Sequence, residues 1–145
     1  MNVVLDTNIY DVLRDNPKHR KLIRTLIASG LLTVIVTRTI IEELFQSPFG
    51  GIPDFFTTSY EPNTVSIAGI MKAGDRLGNG DVYRTHLGNS KKVKDALIAD
   101  AATVYADYLV SEDDRLRKRM QNIGCQCKPL SFNEFFNVLE KSLNA

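Results

Sequence analysis

"VVLDTN", Val3–Asn8, sets the reading of the whole chain. Val3, Val4 and Leu5 are β-branched or bulky apolar residues, the composition of a buried strand. Asp6, Thr7 and Asn8 then supply a strand end and a helix cap. A strand over Asn2–Asp6 that runs into a short helix from Asn8 to about Asp15 puts a carboxylate where a buried strand opens onto a helix. That acid is either a plain cap or the first ligand of a metal site, and the remaining segments decide between the two.

Outward from this stretch, strand and helix patterns alternate. Asn16 caps a second helix with Pro17 at its first position and Gly30 just past its end; Leu22, Ile23, Leu26 and Ile27 form its apolar stripe. Leu31–Val36 reads as a second strand, apolar enough to be covered on both faces. Thr39–Glu42 has the pattern of a capping box, opening a third helix to about Ser47 with Ile40, Ile41, Leu44 and Phe45 as its stripe. "SPFGGIPDFFTTSYEP", Ser47–Pro62, is rich in Gly, Pro and aromatics and reads mostly as loop. A short strand over Thr64–Ile67 and a helix from about Ala68 to Leu77 follow, and the residues up to Ser90 carry no clear pattern. Beyond them come a long helix from Lys92 to Ala106, a strand in "DYLVS", a helix in "DDRLRKRMQN" and a last strand in "CQCKPL". Ser131–Glu134 is a second capping box, and Phe135, Phe136, Leu139 and Leu143 share one side of the terminal helix. That side is read as core or as a dimer or partner surface. The alternation predicts a three-layer α/β/α fold with a central parallel sheet. Without repeats or linkers, residues 1–145 read as a single domain.

Composition narrows the function classes. The 145-residue chain is 43% hydrophobic and 24% charged, with a formal net charge of +1, which argues against a strong overall grip on nucleic acid. Local patches still count, because binding depends on where charge sits. The two cysteines, Cys125 and Cys127, are too close in sequence for a disulfide framework and lack a second pair for zinc. The longest uncharged stretch, Thr25–Thr37, is broken by Gly30, whereas a membrane-spanning helix needs about 20 apolar residues. No basic region precedes Asp6, so a signal peptide is not expected and a cytoplasmic location is.

Four acidic positions stand out. In parallel sheets, ligands bind beyond the carboxyl ends of the strands. Asp6 and Asp113 both occupy such ends, each at a strand–acid–helix junction. Glu42 and Glu43 follow the second strand, and Asp95 begins the long helix. All would gather at one edge of the sheet. Like charges a few ångströms apart repel unless a cation neutralises them. Mg²⁺ and Mn²⁺ are the hard cations that oxygen ligands suit, and they support in-line displacement at phosphorus.

The motifs "LDTN", "TIIEELF", "KDALIADAA" and "LVSEDDRL" resemble the four acidic motifs of PIN-domain nucleases, in the family's order and near its spacing. The resemblance spans Asn2 to about Pro129 and is weakest over Phe49–Ser90. It implies a PIN fold and Mg²⁺- or Mn²⁺-dependent hydrolysis of RNA, with Asp6, Glu43, Asp95 and Asp113 as the catalytic and metal-binding acids. Asn8 matches a polar residue that orders the site. Glu43 is preferred to Glu42 because it precedes Leu44 and Glu42 suits the capping box with Thr39; Asp113 ranks before Asp114. Many small members are VapC-type toxins, which implies an RNA substrate, a cognate antitoxin protein and, as an open point, a homodimer. The chain departs from that pattern at Asp100, read as a solvated or salt-bridged acid, and at Leu116, where an aromatic is common.

Other readings stand beside this one. Arg115, Arg117, Lys118 and Arg119, with Lys91, Lys92 and Lys94, either guide phosphates to the acidic edge or form a solvated face. His19 and His86 have no ligand spacing and are expected at the surface. A stand-alone RNA-processing nuclease of the same fold and a non-catalytic binding module are the alternatives in function.

Overall fold

In the computed structural model, residues 1–64, 93–124 and 126–144 are described. They contain five strands: β1 (Asn2–Leu5), β2 (Thr33–Thr37), β3 (Ser59–Glu61), β4 (Tyr108–Val110) and β5 (Lys128–Leu130). Six helices accompany them: α1 (Thr7–Arg14), α2 (Pro17–Ala28), α3 (Arg38–Gln46), α4 (Val93–Tyr105), α5 (Asp114–Ile123) and α6 (Phe132–Leu143). The strands form one sheet in the order β3-β2-β1-β4-β5, and every pairing is parallel. The architecture is α/β, compatible with three α/β/α layers.

The strand order positions the site. From β1 the chain moves outward through β2 to β3, then returns to the other side of β1 for β4 and β5. Connections therefore diverge between β1 and β4, and a crevice opens at the carboxyl ends of these two strands. β1 is central, with Val3, Val4 and Leu5 fully buried, and register pairs Val4 with both Ile35 and Leu109. The ladder carries into the acidic junctions: Asp6 N–H donates to Val110 O at 2.8 Å, and Ser111 N–H to Leu130 O at 3.0 Å.

Helix α4 shows why the sheet accepts a close cover. Ala96 through Ala102 are all buried, so this stretch of the helix is enclosed by its neighbours on every side. It packs on β1, β2, β4 and α3. Asp100 lies within this run and is 3% exposed, accepting from the Thr64 hydroxyl at 2.5 Å. It is a buried, hydrogen-bonded acid, which removes the solvated alternative of the sequence reading and leaves the salt-bridged one open.

The terminal helix forms as its sequence dictates. Ser131 Oγ accepts from Glu134 N–H at 3.2 Å, and Glu134 Oε1 accepts from Ser131 N–H at 3.0 Å, closing the capping box. Phe132, Phe135, Phe136 and Leu139 are buried and Leu143 is half exposed, so the aromatic side is core. α6 packs on α2 and β5. His19 joins that core: its ring lies 4.0 Å from Phe136 and 5.2 Å from Phe132, so it is not a free surface residue.

Several expectations are corrected. Helix α3 starts at Arg38 directly from the strand end, and Thr37 makes no side-chain cap. Thr39 is consequently inside the helix, buried, where its hydroxyl accepts from Asn63 Nδ2 at 2.9 Å; the expected capping box does not form. On the same helix Phe45 is 64% exposed and leaves the stripe. β2 begins two residues late because Leu31 and Leu32 N–H groups donate back to Leu26 O at the end of α2. β3 falls inside the expected loop, while Thr64 belongs to no strand. The expected helix over 68–77 lies outside the described residues, as do 65–67 of the expected strand, His86, Lys91, Lys92 and Cys125; Cys127 is buried in the core.

Candidate active site

Asp6 ends β1 and caps α1. Its Oδ1 accepts from Thr7 N–H at 2.8 Å and its Oδ2 from the Ser111 hydroxyl at 2.7 Å, with only 6% of the residue exposed. Asp113 has the corresponding role after the neighbouring strand β4, its Oδ1 accepting from Arg115 and Leu116 N–H at 3.0 and 3.2 Å as the cap of α5. Both acids are thus caps in fact. Capping also fixes their rotamers, which a ligand role requires as well.

Ser111 ties the two junctions together. Its hydroxyl donates to Asp6, accepts from Asp113 N–H at 3.0 Å and lies 3.4 Å from the Asn8 amide nitrogen. One donor and two acceptor lone pairs are therefore all engaged. Asn8 closes the ring by accepting from Glu112 N–H at 3.3 Å. The sequence reading passed over Ser111. The available signal was a small hydroxyl residue at the end of an apolar strand, immediately before the acids.

Asp6, Glu43, Asp95 and Asp113 line one cleft of about 600 Å³, together with Thr7, Asn8, Val93 and Lys94. They come from the ends of β1 and β4 and from the helices α3 and α4. The neighbouring acids separate from them. Glu42 pairs with Arg38 at 3.5 Å, and Asp114 is exposed and pairs with Arg117 at 2.5 Å. The preference for Glu43 is therefore retained on different grounds from the capping argument. Arg117 also donates to Ser111 O, so it clamps the β4–α5 junction.

The cleft disfavours the charged form of two of its acids. Burial raises the Asp6 carboxyl above the usual range; bonds from Ser111 and Thr7 oppose this, while Asp95 and Asp113 add to it. Glu43 is raised for the same first reason, then by Asp6; Lys94 and the Thr7 hydroxyl counter that and Asp95 reinforces it. The Thr7 hydroxyl is near enough to influence Glu43, yet among the described residues neither Thr7 Oγ1 nor Glu43 Oε1, both buried, completes a hydrogen bond of ordinary geometry.

No family model, curated protein or solved structure matches the chain.

The site's chemistry must therefore be judged on its atoms. The donor set is all oxygen, and Glu43 Oε1 is an acceptor without a donor among the described residues, which suits a hard divalent cation. Among the described residues, no three His, Cys, Asp or Glu side chains are disposed to hold one ion.

Proposed function

We propose that this protein is a PIN-like, Mg²⁺- or Mn²⁺-dependent endoribonuclease that hydrolyses RNA phosphodiester bonds. The observation that carries the reading is the meeting of four carboxylates from four separate elements in one cleft at the β1–β4 switch point. Structural stability offers no reason to collect them, since two have their pKa values raised by the arrangement.

Asp6, Glu43, Asp95 and Asp113 are the residues that would hold the cation. A divalent ion would supply the Lewis-acid chemistry of phosphodiester hydrolysis, by making water more acidic and offsetting charge on phosphorus. The chain's own contribution is placement. Ser111 keeps Asp6 and the Asp113 backbone in register, and Asn8 fixes the loop between them. Lys94, exposed at the rim beside Asp95, is placed to meet a phosphate of the substrate.

The biological setting we favour is the toxin of a toxin–antitoxin pair, acting in the cytoplasm and held inactive by a cognate antitoxin. A stand-alone processing nuclease would use the same cleft. Among the described residues no helix is long and apolar enough to cross a membrane.

The test is an assay of purified protein on mixed RNA with Mg²⁺, Mn²⁺ or EDTA, beside Asp6→Asn. Cleavage that requires the metal and is lost in the variant supports the proposal. Equal inertness of two folded proteins would reject catalysis in favour of a binding module. Growth arrest on expression, relieved by a neighbouring small reading frame, separates the toxin from the processing enzyme.

A further inference from the structure

Helix α2, Pro17–Ala28, carries Lys18, His19, Arg20, Lys21 and Arg24 and no acid at all. Lys18, His19 and Arg20 fall in its first turn, where the helix dipole disfavours cations. Asn16 at the cap position gives no side-chain hydrogen bond to that turn, its amide donating instead to Val12 O at 2.6 Å. Helix stability thus supplies no reason for the charge. Lys18, Lys21 and Arg24 recur at intervals of three residues and are all exposed, forming a cationic stripe.

Along one flank of the stripe the cations meet aromatic rings. The Arg20 guanidinium lies 4.7 Å from the centre of the Phe55 ring, and Arg24 Nη1 donates to Phe55 O at 3.0 Å. Arg24, Phe55, Phe56 and Ala28 then border a second cleft, of about 490 Å³, with Asp54 at its rim. That size is within the ~300–1,000 Å³ range of ligand pockets. The acidic cleft is reached by a short series of contacts: His19 meets Phe132 edge to face, Phe132 N–H donates to Glu112 at 2.7 Å, and Glu112 N–H donates to Asn8.

We infer that the α2 face is a second contact surface for single-stranded RNA, with phosphates along Lys18, Lys21 and Arg24 and a base seated in the Phe55–Phe56 cleft. Charge complementarity selects a polyanion, and an apolar cleft flanking the cations selects one that carries stackable bases. The choice of RNA over other such polymers rests on the nuclease reading; the surface itself does not. A substrate engaged here extends beyond the nucleotides at the acids, so the protein grips a longer strand than its chemistry needs.

The test is binding of labelled oligouridylate to the full chain in EDTA, over a range of salt concentrations. Each phosphate contact to a single strand contributes about 0.7 to the log–log salt slope, so Lys18→Gln/Lys21→Gln should flatten the slope by about 1.4 and weaken binding about 20-fold near 0.1 M salt. Thermal stability should hold or rise, because Lys18 opposes the dipole, and this separates lost binding from lost fold. Ala28→Trp, which fills the cleft, should weaken binding with the slope unchanged. An unaltered slope in the lysine variant, unaltered affinity in Ala28→Trp, or no binding by wild type would each overturn the inference. Competition by polyglutamate equal to that of RNA at matched charge would overturn it in favour of an acidic protein partner. Metal-dependent cleavage by the wild type is scored separately: if cleavage fails while stripe-dependent binding persists, the nuclease reading falls and this surface stands.

Discussion

The acid-lined edge and the aromatic wedge between α2 and α6 are connected through Glu112 and Phe132, yet they are built on opposite terms. In the wedge, Phe132, Phe135, Phe136 and Leu139 are buried together, the helix above them starts from a complete capping box, and Glu112 accepts from Phe132 N–H. Each local preference there agrees with the fold. At the edge, Asp6 is buried against its own charge and Glu43 has an oxygen without a partner among the described residues. A region that opposes stability in this way holds its residues for another reason. Breaking the wedge should cost stability and spare the chemistry, and breaking the edge should do the reverse.

The largest expected effect is therefore in the wedge. Phe135 is fully buried, and Phe135→Ala should destabilise by roughly 3–5 kcal/mol, read as a lower denaturant midpoint. The proposed nuclease activity, measured per folded molecule, should be unaffected. At the edge, Asp6→Asn should lower kcat by about 100-fold or more, in line with removal of one electrostatic partner at a reacting centre. Its melting temperature should change far less than that of Phe135→Ala. If Asp6→Asn unfolds the chain, the contrast between the regions fails.

The two regions also differed in how far the sequence revealed them. Local signals carried the wedge: Ser131-x-x-Glu134 is a capping box in both sequence and structure, and helical spacing located Phe135, Phe136 and Leu139. The same pattern misled at Thr39–Glu42, because α3 leaves β2 without a loop and Thr39 is turned to Asn63. β3 was invisible, being three residues long and largely exposed, with no apolar run to mark it. The solvated alternative for Asp100 fails, and the apolar neighbours along its helix were the available sign of burial. The acids at the edge were legible as strand ends, since apolar runs stopping at carboxylates identify themselves. Ser111 was not, because its role depends on meeting Asp6 across 105 positions, and no local pattern encodes that.

Ser111 offers a smaller and sharper test than Asp6. Ser111→Ala removes one hydroxyl that serves Asp6, Asn8 and the Asp113 backbone, but no carboxylate. Loss of a partner that orients a metal ligand typically costs about 10–100-fold in activity or metal affinity. The expected signature is a higher Mg²⁺ concentration for half-maximal rate, partly recovered by Ser111→Thr. A stability loss alone, with the metal requirement unchanged, would make Ser111 a component of the fold and not of the site.

The smallest effect bears most directly on why the acids are collected. Asp6 and Glu43 have carboxyl pKa values raised in the folded chain, first by burial and then by nearby acids, Asp95 and Asp113 for Asp6, and Asp6 and Asp95 for Glu43. Between the ordinary and the raised values, the folded state binds more protons than the unfolded one, so stability falls as pH rises through that window. Without divalent cation, the melting temperature should accordingly decline from mildly acidic pH toward neutrality. Glu43→Gln should flatten the decline and raise stability at neutral pH by about 1 kcal/mol at most, since Glu43 is partly exposed and solvent screens its charge. Mg²⁺ should act the other way, stabilising more as pH rises, because it competes with protons for the same oxygens. A melting temperature independent of pH and of Mg²⁺ would mean that the edge holds no uncompensated charge, and its acids would then be caps like any others.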